Sequence, residues 1–222
     1  MRADPHQGPA TFWEEFYLTR RTSSNGRATA TLQRIAADLT PGLSLDLGAS
    51  HVDDVIWLAR QGWQARGCDI SDTAIARART RAADQGLEHR AQFERCDLSA
   101  AFPQGTFDLI TALYLQSPVA LARAAILAQA AGRLRPGGHL LVLSHAAPPP
   151  WSPEATPSTI FPTLAEDLAA IGASALGLEV LEARIVMRPG RGPDGAEAML
   201  EDNLVLIRRR PVEETGPLCR SA

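Results

Sequence analysis

Lysine is absent: all 22 basic residues of the 222-residue chain are arginine. That gap excludes lysine Schiff-base chemistry and lysine-anchored pyridoxal phosphate. Codon bias, which also fits the alanine-rich composition, accounts for it. Cysteine is scarce, with Cys68, Cys96 and Cys219 odd in number and unclustered. No disulfide framework follows, and a reducing cytoplasm is expected. No apolar run approaches the roughly 18 residues of a membrane helix, and the leading MRADPHQGPA is too polar for a signal peptide. A net charge of −3 leaves no basic footprint for nucleic acid. No Gly-x-Gly-x-x-Gly follows an early strand, which argues against a nicotinamide dehydrogenase. There is no internal repeat and no clustered set of metal ligands, so no metal is expected.

What is present is an alternation of strands and helices, with enough length and 45% hydrophobic content for one domain. Leu43, Leu45 and Leu47 form a short strand ending at Gly48, and Asp53 and Asp54 open a helix that Gly62 stops. Trp63 to Cys68 form the next strand, with Asp69 at its tip. In such a βαβ unit ligands bind beyond the carboxyl ends of the strands, and an acid at that tip suits ribose hydroxyls. Before it, the spacing predicts helices over Thr11–Leu18, with Thr11 and Glu14 as a capping box, and over Ala28–Leu39. After it come a helix capped by Ser71, a strand at Ala91–Cys96 and an almost continuous apolar strand at Thr106–Leu113, of the kind a parallel sheet buries on both faces. A helix over Pro118–Leu134, a turn at Arg135–Gly138 and a strand at His139–Ser144 follow. The proline-rich stretch to Pro162 reads as a loop and Leu164–Ile171 as a helix. Leu178–Met187 and Ala198–Ile207 read as a closing hairpin, which adds an antiparallel strand at the far edge of a right-handed parallel sheet.

These segments resemble the class I S-adenosylmethionine-dependent methyltransferases. LDLG at Leu45–Gly48 is similar to the first motif of that class and GCDIS at Gly67–Ser71 to its second. CDL at Cys96–Leu98, FDLITALYL at Phe107–Leu115 and LRPGGHLLVLSH at Leu134–His145 resemble the segments that follow. IWLARQGWQARGCDIS is closest to the small-molecule branch that includes tellurite-resistance and thiopurine methyltransferases, as is the Trp13–Tyr17 segment, expected to fold over the cofactor. The resemblance implies a Rossmann-like α/β fold: a seven-stranded, mostly parallel sheet with a C-terminal antiparallel hairpin and helices on both faces. The chain itself reads as a disordered 1–10, one domain over 11–209 with a helical cap at 11–40 and a lid loop at 145–162, and a flexible tail at 210–222.

The cofactor implied is S-adenosylmethionine, with Asp46, Gly48, Ala49, Asp69, Ile70, Asp97 and Leu98 as its binding residues. Asp69 would meet the ribose, while Asp97 and the backbone after it would meet the adenine. Asp46 would organise the amides of the turn. Tyr114 and His145 follow the fourth and fifth strands, where the acceptor would sit. A histidine, which titrates near neutrality, suits a general base. The turn departs from the class pattern, since Ser50 and Val52 stand where second and third glycines are usual and Asp53 adds a negative charge. The residues alone leave three readings open. One is methyl transfer to a small-molecule acceptor by in-line displacement. The second is the same fold recruited to hydrolysis, proton transfer or cyclisation. The third is a non-catalytic binding protein.

Overall fold

The computed structural model describes residues 7–21, 24, 26–151, 161–172 and 177–211. The expectations for 1–6, for most of the proline-rich stretch (152–160), for the tail from 212 onward and for Cys219 lie outside the described residues. The elements in order are α1 (Pro9–Thr19), α2 (Ala30–Ala36), β1 (Leu43–Leu47), α3 (Asp53–Arg60), β2 (Gln64–Asp69), α4 (Asp72–Ala83) and β3 (Ala91–Arg95). They continue with β4 (Phe107–Leu113), α5 (Arg123–Gly132), β5 (Leu134–His145), α6 (Leu164–Ile171), β6 (Leu178–Arg191) and β7 (Glu197–Arg209). The seven strands form one sheet in the order β3-β2-β1-β4-β5-β7-β6. Strands β1 to β5 pair in parallel, and β7 runs antiparallel to both β5 and β6.

Burial explains the central strands. In β4, Phe107, Leu109, Ile110 and Ala112 are all fully buried. Successive side chains alternate across the sheet, so Leu109 joins a core with α3 and α4, and Ile110 a second core with α5 and α6. The chain order reverses between β1 and β4, which opens a crevice at their carboxyl ends.

Several boundaries differ from the expectation. Helix α1 begins at Pro9 behind Gly8, with no side-chain cap. Proline fits the first helical position because its missing N–H has no intrahelical partner there. Glu14, expected in a capping box, instead reaches α4: it accepts from the Ser71 hydroxyl at 2.6 Å and the Thr73 amide at 3.2 Å. Helix α2 covers only Ala30–Ala36. Helix α5 starts at Arg123, not Pro118, and Ser117 takes up the Val119 amide at 3.2 Å in the irregular stretch before it. The expected turn at Arg135–Gly138 is a kink inside a single long β5, where the pairing with β4 shifts register between Phe107 and Leu109. A Cβ on Gly138 would lie 2.8 Å from the Phe107 carbonyl oxygen, so only glycine lets the two backbones meet there. The hairpin strands extend to Arg191 and from Glu197, and the antiparallel strand is β7, inside the edge, with β6 outermost.

The far half of the sheet is held by a buried polar knot. Ser144 and Asn203 oppose each other on β5 and β7. Asn203 donates to the Ser144 hydroxyl at 3.4 Å, and Ser144 donates to Asp167 of α6 at 3.2 Å. Asp167, fully buried, pairs with Arg123, which also donates to the Leu115 carbonyl at 3.0 Å. No helix among the described residues is long and apolar enough to cross a membrane.

Candidate active site

The residues expected to meet the cofactor and the acceptor all line one crevice beyond the carboxyl ends of β1, β2, β4 and β5, in two lobes that share Gly48. Gly48 has φ 72° and a Cβ there would come within 2.9 Å of Leu115, so its bare Cα forms the floor between the lobes.

The first lobe brings together Gly48, Asp69, Ile70, Asp97 and Leu98, under a wall of Trp13 and Leu115. Asp69 is 5% exposed. It accepts from the amides of Ser50 and Ser71, each at 3.0 Å, and Tyr17 of α1 sets its hydroxyl 3.5 Å away. Burial pushes the Asp69 carboxyl above the usual range, and the amide donors pull against that. Asp97 is exposed at the rim and accepts from the Ser99 amide at 2.9 Å, an Asx turn, while Leu98 is buried behind it. Of the two cysteines among the described residues, Cys68 is buried in β2 and Cys96 lies on this lobe after β3; both are free thiols.

The turn from Gly48 to Val52 reproduces the backbone shape that glycines normally adopt, but without them. Ser50 has φ 49° and Val52 φ 61°. Val52 is 3% exposed, with its side chain in the core beside α3. Left-handed backbone disfavours a β-branched residue by about 1–2 kcal/mol, and burying a valine gains about as much or more. The Ser50 amide of the turn goes to Asp69 and not to Asp46, whose carboxylate accepts from Thr111.

The second lobe holds Asp46, Ala49, His51, Tyr114, His145 and Arg188. Asp46, 4% exposed, accepts from the Thr111 hydroxyl at 2.6 Å. Its carboxyl is pushed well above the usual range by burial and by the nearby Asp54. Asp54 is raised as well, by burial, against bonds from the Thr29 amide and hydroxyl at 2.7 and 3.2 Å. The Nε2 of His51 is buried without a hydrogen-bond partner among the described residues, and burial lowers this imidazole's pKa. No group of three or more histidine, cysteine or acidic side chains able to hold a metal occurs among the described residues.

Two residues that sequence reading missed complete this lobe. Asp202 of β7 stands directly opposite His145 of β5 in the antiparallel register, and its carboxylate lies 3.0 Å from the His145 Nδ1. Arg188 of β6 donates to the same carboxylate at 2.5 Å, and the Tyr114 hydroxyl donates at 2.8 Å. The rings of Tyr114 and His145 stack with centroids 4.5 Å apart. Burial works against the charge on Asp202, but the bonds from His145, Tyr114 and Arg188 prevail and hold its carboxyl below the usual range. Burial and the Asp202 charge raise the Tyr114 phenol, which therefore stays protonated. The available signal was an acid, Asp202, at the head of the apolar run Leu204–Ile207, but its partner is defined only by the hairpin register.

Residues 45–138 match the family model of the methyltransferase domain. No curated protein matches the sequence. Among solved structures, a protein from the conversion of a disulfide bond into a thioacetal group during echinomycin biosynthesis is 20% identical, covers 93% of this chain and 94% of its own, and has a TM-score of 0.69. TehB from Haemophilus influenzae is 17% identical over 89% of this chain and 67% of its own, also at 0.69. Magnesium protoporphyrin IX methyltransferase (ChlM) from Synechocystis PCC 6803, solved with bound SAH, is 14% identical over 90% and 99%, at 0.64. At such identities the likeness establishes the fold.

Proposed function

We propose that this chain, which has the fold of the class I methyltransferases and matches the methyltransferase-domain model over residues 45–138, is such an enzyme, binding S-adenosylmethionine in the crevice around Gly48 and methylating a small-molecule acceptor. One observation carries the reading: Gly48, Asp69, Ile70, Asp97 and Leu98 line one lobe, and Gly48 continues into a second lobe with its own acid–base groups. Asp69 would take the ribose hydroxyls, Asp97 and the Leu98 amide the adenine edge. Asp46 and Ala49, with Asp54 nearby, would face the cationic end. When bound, S-adenosylmethionine supplies a methyl group on a sulfonium; its transfer makes one bond to the acceptor and leaves the carbon–sulfur electron pair on sulfur. The protein's part is to orient the reactants and keep water out, for which Trp13, Tyr17 and Leu115 form the cover. Net charge −3 favours a small acceptor over nucleic acid, and free thiols at Cys68 and Cys96 suit the cytoplasm.

Calorimetry with S-adenosylmethionine tests this. Binding is expected at about 10–100 μM, and Asp69→Ala should weaken it about tenfold or more through lost charge-assisted hydrogen bonds. No heat at millimolar cofactor overturns the reading. Non-methylating chemistry in the same crevice is the second reading, favoured by the His145–Asp202 pair, which needs no cofactor to move a proton. Binding without transfer to any thiol, hydroxyl or amine would select it.

A further inference from the structure

We propose that His145 and Asp202 form a proton-accepting dyad and that the acceptor it serves is a phenol-type hydroxyl compound. The inference deepens the methyl-transfer reading and rests on it for the acceptor class, though not for the dyad.

The geometry comes from the register. Residues directly opposite on antiparallel strands project to the same face, so the His145↔Asp202 pairing places both side chains over the second lobe. On β6, Val186 opposes Asp202, and Arg188, two residues on, lies diagonally across on that face. Asp202 is 1% exposed in its side chain, whereas His145 is 42% exposed. The carboxylate is therefore sheltered and the imidazole reaches the lobe. An ionised carboxylate can only accept, so the 3.0 Å contact fixes the proton on Nδ1. Nη2 of Arg188 is 3.5 Å from the same nitrogen, too far to compete. Nε2 is left with its lone pair, able to accept a proton.

Three further contacts hold the ring. Tyr114 stacks on it and spends its hydroxyl on Asp202. Arg188, 5.4 Å above the Tyr114 ring, balances the carboxylate. The side-chain oxygen of Gln116 accepts from the His145 amide at 2.7 Å, and Gln116 also lines the first lobe, so the dyad sits where the lobes join. Tyr114 itself has φ 58°, a left-handed conformation held only where the surroundings fix it. The charged and titratable groups facing the dyad are Asp202 from β7, Arg188 from β6 and Tyr114 after β4. Across the lobe stand Asp46 from β1, Asp53 and Asp54 from α3, His51 from the turn, and Arg21 and Arg27.

A resident base discriminates among acceptors. Thiols, with pKa near 8.5, are partly ionised at neutral pH, whereas phenols near 10 remain protonated. An amine attacks through its free lone pair and sheds its proton afterwards. A thiol can react through the fraction already ionised, whereas a phenol, with almost none, depends most on having its proton removed as it reacts. Nε2 takes the hydroxyl proton, the electron pair stays on oxygen, and the imidazolium returns the proton to water. His145 is the catalytic residue; Asp202 and Tyr114 are positioning residues.

The test has two arms. Nitrogen-15 NMR of the full-length protein without cofactor, with His145→Asn giving the assignment, reads the tautomer. The Nδ1–H form should dominate in the parent and give way to a mixture in Asp202→Asn. A dominant Nε2–H form in the parent, or no change in Asp202→Asn, overturns the dyad. In the second arm, protein with labelled S-adenosylmethionine is offered phenol, catechol, thiophenol and aniline. At least one of the two phenols should be methylated, with the acid limb of the pH–rate profile lost and kcat/KM reduced about 100-fold or more in His145→Asn. Asp202→Asn should lower kcat about tenfold with KM unchanged. Methylation of thiophenol or aniline alone, or of nothing while the cofactor binds, overturns the hydroxyl assignment. Failure of the cofactor to bind overturns the methyltransferase reading instead, and the tautomer result stands apart from both.

Discussion

Arg81 lies 2.5 Å from the Asp53 carboxylate, joining the fourth helix to the start of the third. It also donates to the His51 carbonyl at 2.8 Å. The negative charge that the glycine-poor turn carries is thus neutralised from below by a residue 28 positions downstream. An unpaired Asp53 would oppose a bound carboxylate and leave a partly buried charge alone. Arg81→Met is therefore expected to weaken S-adenosylmethionine binding about tenfold, equivalent to about 1.4 kcal/mol. Asp53→Asn combined with Arg81→Met should recover most of that loss. Calorimetry on the three variants checks the coupling; equal affinities for the single and double variants would show that charge at Asp53 is irrelevant to the ligand.

The two left-handed residues of the turn should respond in opposite directions to glycine. Ser50 has φ 49° and Val52 φ 61°, and glycine relieves about 1–2 kcal/mol at either position while costing about 0.5–1 kcal/mol in unfolded-chain entropy. At Ser50 the balance favours glycine, and Ser50→Gly should raise stability by about 0.5 kcal/mol. At Val52 the side chain is buried in the core, and losing it removes a further 1.5–3 kcal/mol or so. Val52→Gly should be less stable by about 1 kcal/mol. Urea midpoints at unchanged m-value decide between these signs.

Cofactor binding should release protons. Asp46, Asp54 and Asp69 are all held above the ordinary carboxylate range in the free protein, burial being the first cause in each case. A cationic ligand favours their ionised forms and draws those values down. The complex then binds fewer protons than the free protein, so affinity rises with pH from the ordinary carboxylate range up to the raised values and levels off above them. Calorimetry in buffers of different ionisation enthalpy should show the release, and Asp46→Asn should reduce it. Proton uptake would contradict the assignment. The same shift gives a stability prediction. A raised acid loses folded-state stability as pH rises from its unfolded value to its folded one, so Asp46→Asn should melt higher than the parent at pH 8 and much less so at pH 4.

The order of elements was legible because the parallel half carries local signals: apolar runs in β1, β4 and β5, and Gly48, Asp69 and Asp97 at or just beyond the tips of β1, β2 and β3. Asp69, Gly48 and Leu98 could be placed for the same reason, since their position follows from the strand that ends beside them. The kink at Gly137–Gly138 was not legible, because a glycine pair reads the same in a turn as in a strand whose neighbour's backbone comes too close for a Cβ. Asp202 and Arg188 were hidden for a different reason. They belong to the site only through pairing across some 57 residues, between His145 and Asp202, and no local pattern encodes register. Arg81 is hidden likewise, since an arginine on an amphipathic helix carries no mark of its partner Asp53, a helix away.

The buried pair between Arg123 and Asp167 should matter for stability and for the crevice at once. Asp167 is fully buried and the Arg123 side chain is 15% exposed. Removing the cation leaves a buried carboxylate without its counter-charge, which costs about 3–5 kcal/mol. Arg123 also holds the Leu115 carbonyl, and Leu115 is part of the crevice wall facing Gly48. Arg123→Met should therefore lower the melting temperature sharply and weaken S-adenosylmethionine binding even where the protein is still folded. Asp167→Asn in the Arg123→Met background removes the stranded charge while keeping a hydrogen-bond partner for Ser144. It should restore most of the stability but not the affinity, since the Leu115 tether is still missing. Thermal melts and calorimetry on the same samples separate the two effects. Recovery of both together would mean that Arg123 acts on the crevice only through the fold.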